Sequence, residues 1–98
     1  MADDVTRISL DGEITIYRAA DLKVTVLEAL RKTRVLEIDL SAVTELDTAG
    51  LQVLMLAKQA AAAEQRELRL LQHSPAVVDV FEMLDLVAFF GDAVLIHA

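Results

Sequence analysis

The chain has 98 residues, with 16 acidic and nine basic side chains, and a formal net charge of -7. This length predicts one domain over residues 1–98, with 55% hydrophobic residues for its core but only 4% aromatic ones. The acidic balance argues against binding to nucleic acid or to anionic membrane surfaces, because both carry negative charge. Because the chain has no cysteine, it cannot form disulfides, thiolate nucleophiles or cysteine-ligated zinc sites.

No segment of the sequence has the pattern of a membrane-targeting element. The first five residues lack the basic and apolar regions of a signal peptide. No apolar run approaches the roughly 20 residues that a membrane helix needs. We therefore expect a cytoplasmic protein without direct membrane insertion.

The first predicted elements are two short strands and a helix. Residues 5–10 alternate between polar and apolar, and residues 13–17 do so strictly. Asp11-Gly12 between them is a tight-turn signal, so the pattern predicts an N-terminal β-hairpin. From residue 19 the period changes, and the apolar side chains fall on one stripe of a helix over residues 19–32.

The second half of the chain continues to alternate strands with helices. Residues 35–40 predict a strand, residues 41–46 a connection, and Asp47 opens a helix over residues 48–65. The first half of this helix is apolar nearly all round, which is typical of a helix buried on more than one side. Residues 67–71 predict a further strand.

The last elements follow from an N-cap signal. Ser74-Pro75 pairs a good capping residue with a proline suited to the first helical position. The pattern of residues 94–96 is compatible with a final short strand. The order of elements predicts the α/β class, with a mixed β-sheet of about four to five strands and α-helices packed on it.

Residue combinations that carry enzymatic chemistry are absent from the sequence. His73 and His97 have no acidic or histidine partner at metal-ligand spacing, and we interpret both as solvated. The three glycines form no phosphate-binding loop. No nucleophile is accompanied by a base, so we expect a non-enzymatic protein without a metal or cofactor.

One segment, residues 39–51, favours a functional interpretation. It runs from a strand into an apolar helix and brings Asp47 and Thr48 to the helix N-terminus, and loops that follow strands of α/β sheets are common binding places. On spacing alone, the simpler interpretation is that Asp47 is an N-cap that accepts hydrogen bonds from the amides of Ala49 and Gly50. Thr48 would then have no special role.

The motif at this helix start resembles a known signature. Asp-Thr-Ala-Gly-Leu at residues 47–51, preceded by Asp-Leu-Ser at residues 39–41, resembles the STAS family of anti-sigma factor antagonists and sulphate-transporter tails. The resemblance spans essentially the whole chain and implies a STAS-type fold. In that family the hydroxyl residue directly after the Asp is phosphorylated, which corresponds to Thr48 here. The family's usual Ser-Ser is replaced by Thr48-Ala49.

The resemblance implies a phosphorylation-controlled protein–protein switch. The implied partners are an anti-sigma factor or serine/threonine protein kinase with a phosphatase, or a chemotaxis-type signalling complex. A phosphate adds about -1.5 to -2 charges at a helix N-terminus, which the fold should tolerate, so we expect it to control binding and not folding. The expected contact residues are Asp47, Thr48, Ala49, Gly50 and Gln52, with Thr44 and Glu45 from the loop. Ser41 and Tyr17 are further candidates.

Two alternatives remain open from the sequence. The first is a STAS subunit that binds and stabilises the ATPase of a lipid-transporting ABC complex, in which a threonine at the matching position contributes to the contact. The second is a ligand-binding module that uses the helix N-terminus at residues 47–50 as an anion site. The lack of a glycine-rich loop and the overall acidity disfavour the second alternative.

Overall fold

The computed structural model describes residues 4–84. Its elements are β1 (Val5–Ile14), α1 (Ile16–Arg31), β2 (Val35–Leu46), α2 (Thr48–Ala63), β3 (Glu67–Leu71) and α3 (Pro75–Met83). The strands form a parallel sheet in the order β1-β2-β3. The predicted α/β class is confirmed, with three strands in the described part instead of four to five. Residues 94–96 lie outside the described residues.

The core lies between one face of this sheet and the three helices. Alternate side chains of the strands are buried, as period two requires, and they form one cluster with buried side chains of all three helices. The central contributors from β2 and β3 are Leu36, Ile38, Leu40, Leu68 and Leu70. Helix α1 adds Leu22, Val26 and Leu30 at helical spacing, and α3 adds Val77 and Phe81.

The opposite face of the sheet carries charges, among them a ladder of ion pairs. Glu37 on β2 lies 3.2 Å from Arg7 on β1 and 3.4 Å from Arg69 on β3. Arg69 also contacts Glu67 at 2.6 Å. Such exposed ion pairs add little stability. Parallel sheets usually carry helices on both faces, and here the charged side chains let the second face contact water instead.

The predicted N-terminal hairpin is wrong, because β1 is one strand that pairs in parallel with β2 along its whole length. Gly12 does adopt the left-handed backbone that Asp-Gly signals, with φ of 69°, but the chain continues instead of reversing. The Arg18 guanidinium donates hydrogen bonds to the carbonyls of Asp11 and Glu13. These two hydrogen bonds hold the backbone of β1 on either side of Gly12. The residues predicted as the second hairpin strand end in α1, which begins at Ile16 instead of residue 19.

The connection predicted at residues 41–46 is also wrong, because β2 continues to Leu46. Two bulges account for the lost alternation. Leu40 and Ser41 together face the single β1 residue Leu10, and Thr44 is a second extra residue on β2. Beyond Leu40 two exposed residues therefore separate each buried one, a pattern that no longer indicates a strand.

Helix α2 packs against α1 as well as against β1 and β3, which agrees with the burial on more than one side that its apolar first half predicts. It keeps one uncharged exposed face, with Thr48, Gln52 and Gln59 on it. The burial prediction for one histidine needs correction. His73 is not solvated: it is only 7% exposed and its ring meets Phe81 edge-on at 5.6 Å. His97 lies outside the described residues.

The start of α3 agrees with its sequence signal. The Ser74 hydroxyl oxygen accepts a hydrogen bond from the Val77 amide at 3.3 Å, and Pro75 occupies the first helical position. None of the helices within residues 4–84 combines the length and hydrophobicity that crossing a bilayer would take.

Candidate functional site

The carboxylate of Asp47 connects the N-termini of two helices. Its Oδ1 accepts a hydrogen bond from the Gly50 amide at 2.9 Å, which confirms the predicted N-cap of α2. Its Oδ2 accepts from the amide of Ile16, the first residue of α1, at 3.0 Å. The residue that precedes α1, Thr15, makes no side-chain cap of its own. One carboxylate therefore satisfies free amides of both α1 and α2.

These hydrogen bonds hold Asp47 in its ionised form. The Gly50 amide contributes most to keeping the pKa of the Asp47 carboxyl below its ordinary value, and the amides of Ile16 and Ala49 add to the effect. The carboxylate thus already occupies the anion-binding position that a helix N-terminus offers. This arrangement leaves little of that position for a second anion.

Gly50 has a packing role at this site. The residue is buried, and a Cβ added to it would lie 2.3 Å from the Ile14 carbonyl oxygen and 2.7 Å from the Ile14 Cγ2. The same Ile14 carbonyl accepts a hydrogen bond from the Asp47 amide at 3.2 Å. The absence of a side chain therefore lets the first turn of α2 rest directly on the end of β1.

Thr48 is exposed at the first position of α2 and belongs to none of these hydrogen bonds. Two large side chains at the start of α1 are also exposed, Ile16 at 66% and Tyr17 at 94%. The hydrogen bond from the Ile16 amide to Asp47 brings the start of α1 next to the start of α2. Sequence reasoning named Tyr17 as a candidate but missed Ile16, whose contact with Asp47 spans 31 positions and leaves no local signal.

The structure places most of the other predicted contact residues at the same end of the sheet. Thr44 and Glu45 are exposed in the bulged end of β2, Gln52 is exposed one turn after Thr48, and Ala49 is half-buried. Ser41 is separate, because it lies five strand positions before Leu46, or roughly 15 Å.

Ser41 instead stabilises the bulge of β2. Its amide and hydroxyl both donate to Asp39 Oδ1, at 2.8 and 2.6 Å. The hydroxyl bond is the main cause of the lowered pKa of the Asp39 carboxyl, followed by the amide bond. The Asp-Leu-Ser part of the motif therefore shapes the strand.

The end of the sheet beside Thr48 is acidic. Glu13 and Glu45 face each other as partners on β1 and β2, and Asp47 follows two residues later. Like charges directly opposite each other are destabilising, and neither glutamate makes an ion pair within residues 4–84. The same region holds no group of three or more potential metal ligands.

A family model described as "Mlab, STAS domain" matches residues 1–95 of this chain. The matched range includes the capped start of α2, the closely packed Gly50 and the bulged strand β2. The chain belongs to the STAS family. No curated protein sequence matches it significantly.

Two solved structures share the STAS fold with this chain. One is the anti-sigma factor antagonist SpoIIAA in its unphosphorylated form, with a TM-score of 0.75, 19% identity, and 95% of this chain and 83% of that chain covered. The other is an anti-sigma factor antagonist from Mycobacterium paratuberculosis, with a TM-score of 0.78, 24% identity, and 98% and 82% covered. At these identities the similarity establishes the fold alone.

Proposed function

We propose that this STAS domain is a non-enzymatic protein–protein switch, in which phosphorylation of Thr48 regulates binding to a signalling partner. The observation that carries the proposal is that Thr48 is exposed at the first turn of α2, while Ile16 and Tyr17 are exposed at the start of α1, which Asp47 joins to α2. An apolar surface next to a modifiable hydroxyl suits a contact that must be both formed and released. The names of the two similar structures, both anti-sigma factor antagonists, support the same interpretation.

The switch follows from the charges at the helix start. Asp47 already accepts hydrogen bonds from the amides of Gly50 and Ile16, so these amides would not neutralise a phosphate on Thr48. The phosphate would add about -1.5 to -2 charges to a surface that is already acidic. A partner packed closely on this surface would have to desolvate the dianion, which is costly unless the charge is paired. Phosphorylation would therefore release the partner.

The fold should tolerate this modification. The Thr48 side chain is exposed and takes part in none of the hydrogen bonds that connect β1, α1 and α2. The phosphate would point to solvent, although its repulsion of Asp47 works against the cap. Binding would change while the domain stays folded.

The chemistry of the surface favours certain partners. Exposed Ile16 and Tyr17 call for an apolar patch on the partner, and Glu13, Glu45 and Asp47 call for basic residues around it. From the similarity to anti-sigma factor antagonists, we infer an anti-sigma factor or serine/threonine protein kinase with an opposing phosphatase, or a chemotaxis-type signalling complex. Thr44, Glu45, Asp47, Ala49 and Gln52 would surround Thr48 in the contact, and Gly50 would keep the helix start in place.

The test begins with phosphosite mapping on protein from its native cell. We expect a phosphate on Thr48 that disappears in Thr48→Ala and persists in Thr44→Ala, a control that removes a nearby exposed hydroxyl. Partners captured with the unmodified protein should be lost with Thr48→Glu and retained with Thr25→Glu, which adds the same charge at an exposed position of α1 outside the proposed contact. A chain that is never phosphorylated, and whose Thr48→Glu variant keeps its partners, would refute the switch.

A second candidate function, that of a transporter subunit, is favoured by the large exposed fraction of two side chains at the start of α1. Tyr17 at 94% and Ile16 at 66% exposure would be covered permanently in a STAS subunit that binds and stabilises the ATPase of a lipid-transporting ABC complex. In that case the chain should copurify with the ATPase without phosphate, and Tyr17→Ser should release it. A chain that is soluble alone and accepts phosphate on Thr48 favours the switch instead.

A further inference from the structure

Helix α2 carries an uncharged exposed surface that the fold does not use. We define the α2 stripe as Thr48, Gln52, Met55, Leu56, Gln59 and Ala63. All of these side chains are exposed except Met55, which is half-buried, and Leu56 is an exposed large apolar side chain at 38%. Charged residues make up 26% of the chain, yet the only one in α2 is Lys58, which turns inward to donate to the Leu68 carbonyl. Loss of charge from an exposed helix face is typical of the centre of an interface.

The α2 stripe is symmetric about the point between Met55 and Leu56. Gln52 and Gln59 lie at equal distances from this point, and so do Thr48 and Ala63. We propose that a second copy of this chain packs against the α2 stripe, with the two helices antiparallel. Met55 of each copy would meet Leu56 of the other, over a contact about 22 Å long.

The residues of the α2 stripe suit this pairing. Each Gln52 would face Gln59 of the second copy, and the two amides can both donate and accept hydrogen bonds. Thr48 would face the small side chain of Ala63, which allows the helix backbones to approach closely. The stripe thus has an apolar centre flanked by amide pairs, and no charge is buried in the contact.

Charge selects the antiparallel orientation. The end of the domain beside Thr48 carries five carboxylates and one guanidinium: Asp11, Glu13, Asp21, Glu45, Asp47 and Arg18. The opposite end is close to neutral, because Arg31, Lys32, Arg34 and Arg66 are balanced by Asp4, Glu28, Glu64 and Glu67. An antiparallel pair places the acidic end of one copy beside the near-neutral end of the other and opposes the two helix dipoles, whereas a parallel pair would place the two acidic ends side by side.

Self-association of this kind would cover Thr48. A phosphate there would lie against the C-terminal end of the second α2, whose dipole is negative, so the dimer and the phosphorylated form would exclude each other. This coupling rests on the proposed function. The self-association does not, because it depends only on the unmodified α2 stripe.

The first test is sedimentation equilibrium of the purified protein from micromolar concentrations up to about 1 mM. We expect a monomer–dimer equilibrium that Leu56→Glu weakens by roughly tenfold or more, because the substitution buries a charge at the centre of the contact. The control is Val24→Glu, which adds the same charge at a 56% exposed position on α1 and should leave the equilibrium unchanged. Circular dichroism verifies that both variants fold.

The second test determines the register. A Gln52→Glu/Gln59→Glu variant and a Gln52→Lys/Gln59→Lys variant should each be monomeric, because like charges meet across the contact. Mixed in equal amounts, they should form a heterodimer. A wild-type chain that is monomeric at about 1 mM, a dimer unaffected by Leu56→Glu, or a mixture that stays monomeric would each overturn the proposal. Phosphosite mapping of Thr48 tests the proposed function separately, so the two can fail independently.

Discussion

Replacing Gly50 by alanine changes the stability of the fold in two opposite ways, through helix propensity and through packing. Gly50 lies inside α2 with an ordinary helical backbone, so propensity alone favours alanine by about 1 kcal/mol. The Cβ of that alanine would, however, lie 2.3 Å from the Ile14 carbonyl oxygen. The two effects have opposite signs, and their sizes decide the outcome.

The steric effect should prevail. Overpacking a tightly packed interior costs about 1–3 kcal/mol, and occasionally more. The upper part of this range applies because the obstructing atom belongs to the backbone of β1, which cannot rotate away as a side chain can. Moving β1 and α2 apart would also stretch the hydrogen bond from the Asp47 amide to the Ile14 carbonyl. With the propensity gain subtracted, we expect Gly50→Ala to destabilise the fold by about 2 kcal/mol or more.

Urea denaturation followed by circular dichroism measures this difference. At about 2 kcal/mol the midpoint of thermal unfolding should also fall by roughly 10 °C for a domain of this size. The matched control is Ala20→Gly on the exposed side of α1, which should lose only the propensity of about 1 kcal/mol. An alanine at position 50 that leaves stability unchanged or raises it would refute the close approach of α2 to β1.

Four further results are expected from the same denaturation measurements. Asp47→Asn should lower stability, because the asparagine amide can replace only one of the two oxygens that accept hydrogen bonds. Asparagine is normally as good an N-cap as aspartate, so a variant with wild-type stability would contradict the double cap. Because the folded pKa of Asp47 is depressed, the stability that this carboxylate contributes should be fully present above the unfolded carboxyl pKa of about 3.9 and be lost as the pH drops through the folded value, so acid should destabilise Asp47→Asn less than the wild type. Ser74→Ala should cost about 1 kcal/mol by removing the cap of α3, and Ser74→Thr much less. Gly12→Ala should cost about 1–2 kcal/mol from backbone strain at φ of 69°, whereas the space around the residue is sufficient.

Much of the fold could be predicted from the sequence where its signals are local. Strand β3 is predicted with its observed bounds, and Ser74-Pro75 marks the start of α3 correctly. The cap of α2 by Asp47 is equally local, because the carboxylate and the Gly50 amide are three residues apart. In each case the interaction that forms the element lies within a few positions of the residues that signal it.

The errors arise where distant residues determine local structure. Asp11-Gly12 has the composition of a hairpin turn, but parallel pairing with β2 keeps the chain extended. The bulges at Ser41 and Thr44 depend on register with β1, so the sequence of β2 alone cannot indicate them. Helix α1 likewise begins at a position without a local cap, because the cap is supplied across the fold.

The candidate site combines two structural residues, Asp47 and Gly50, with the proposed phosphorylation site, Thr48, within one motif. Asp47 caps two helices, and Gly50 permits the contact between α2 and β1. The presence of these two motif residues in the sequence therefore indicates how the start of α2 is built. Thr48 lies between them, and its side chain makes none of the hydrogen bonds that hold the helix starts together within residues 4–84. Substitutions at Thr48 should therefore change binding while leaving stability nearly unchanged, and substitutions at Asp47 and Gly50 should lower stability first. This difference makes Thr48 the position at which function can be tested without disturbing the fold.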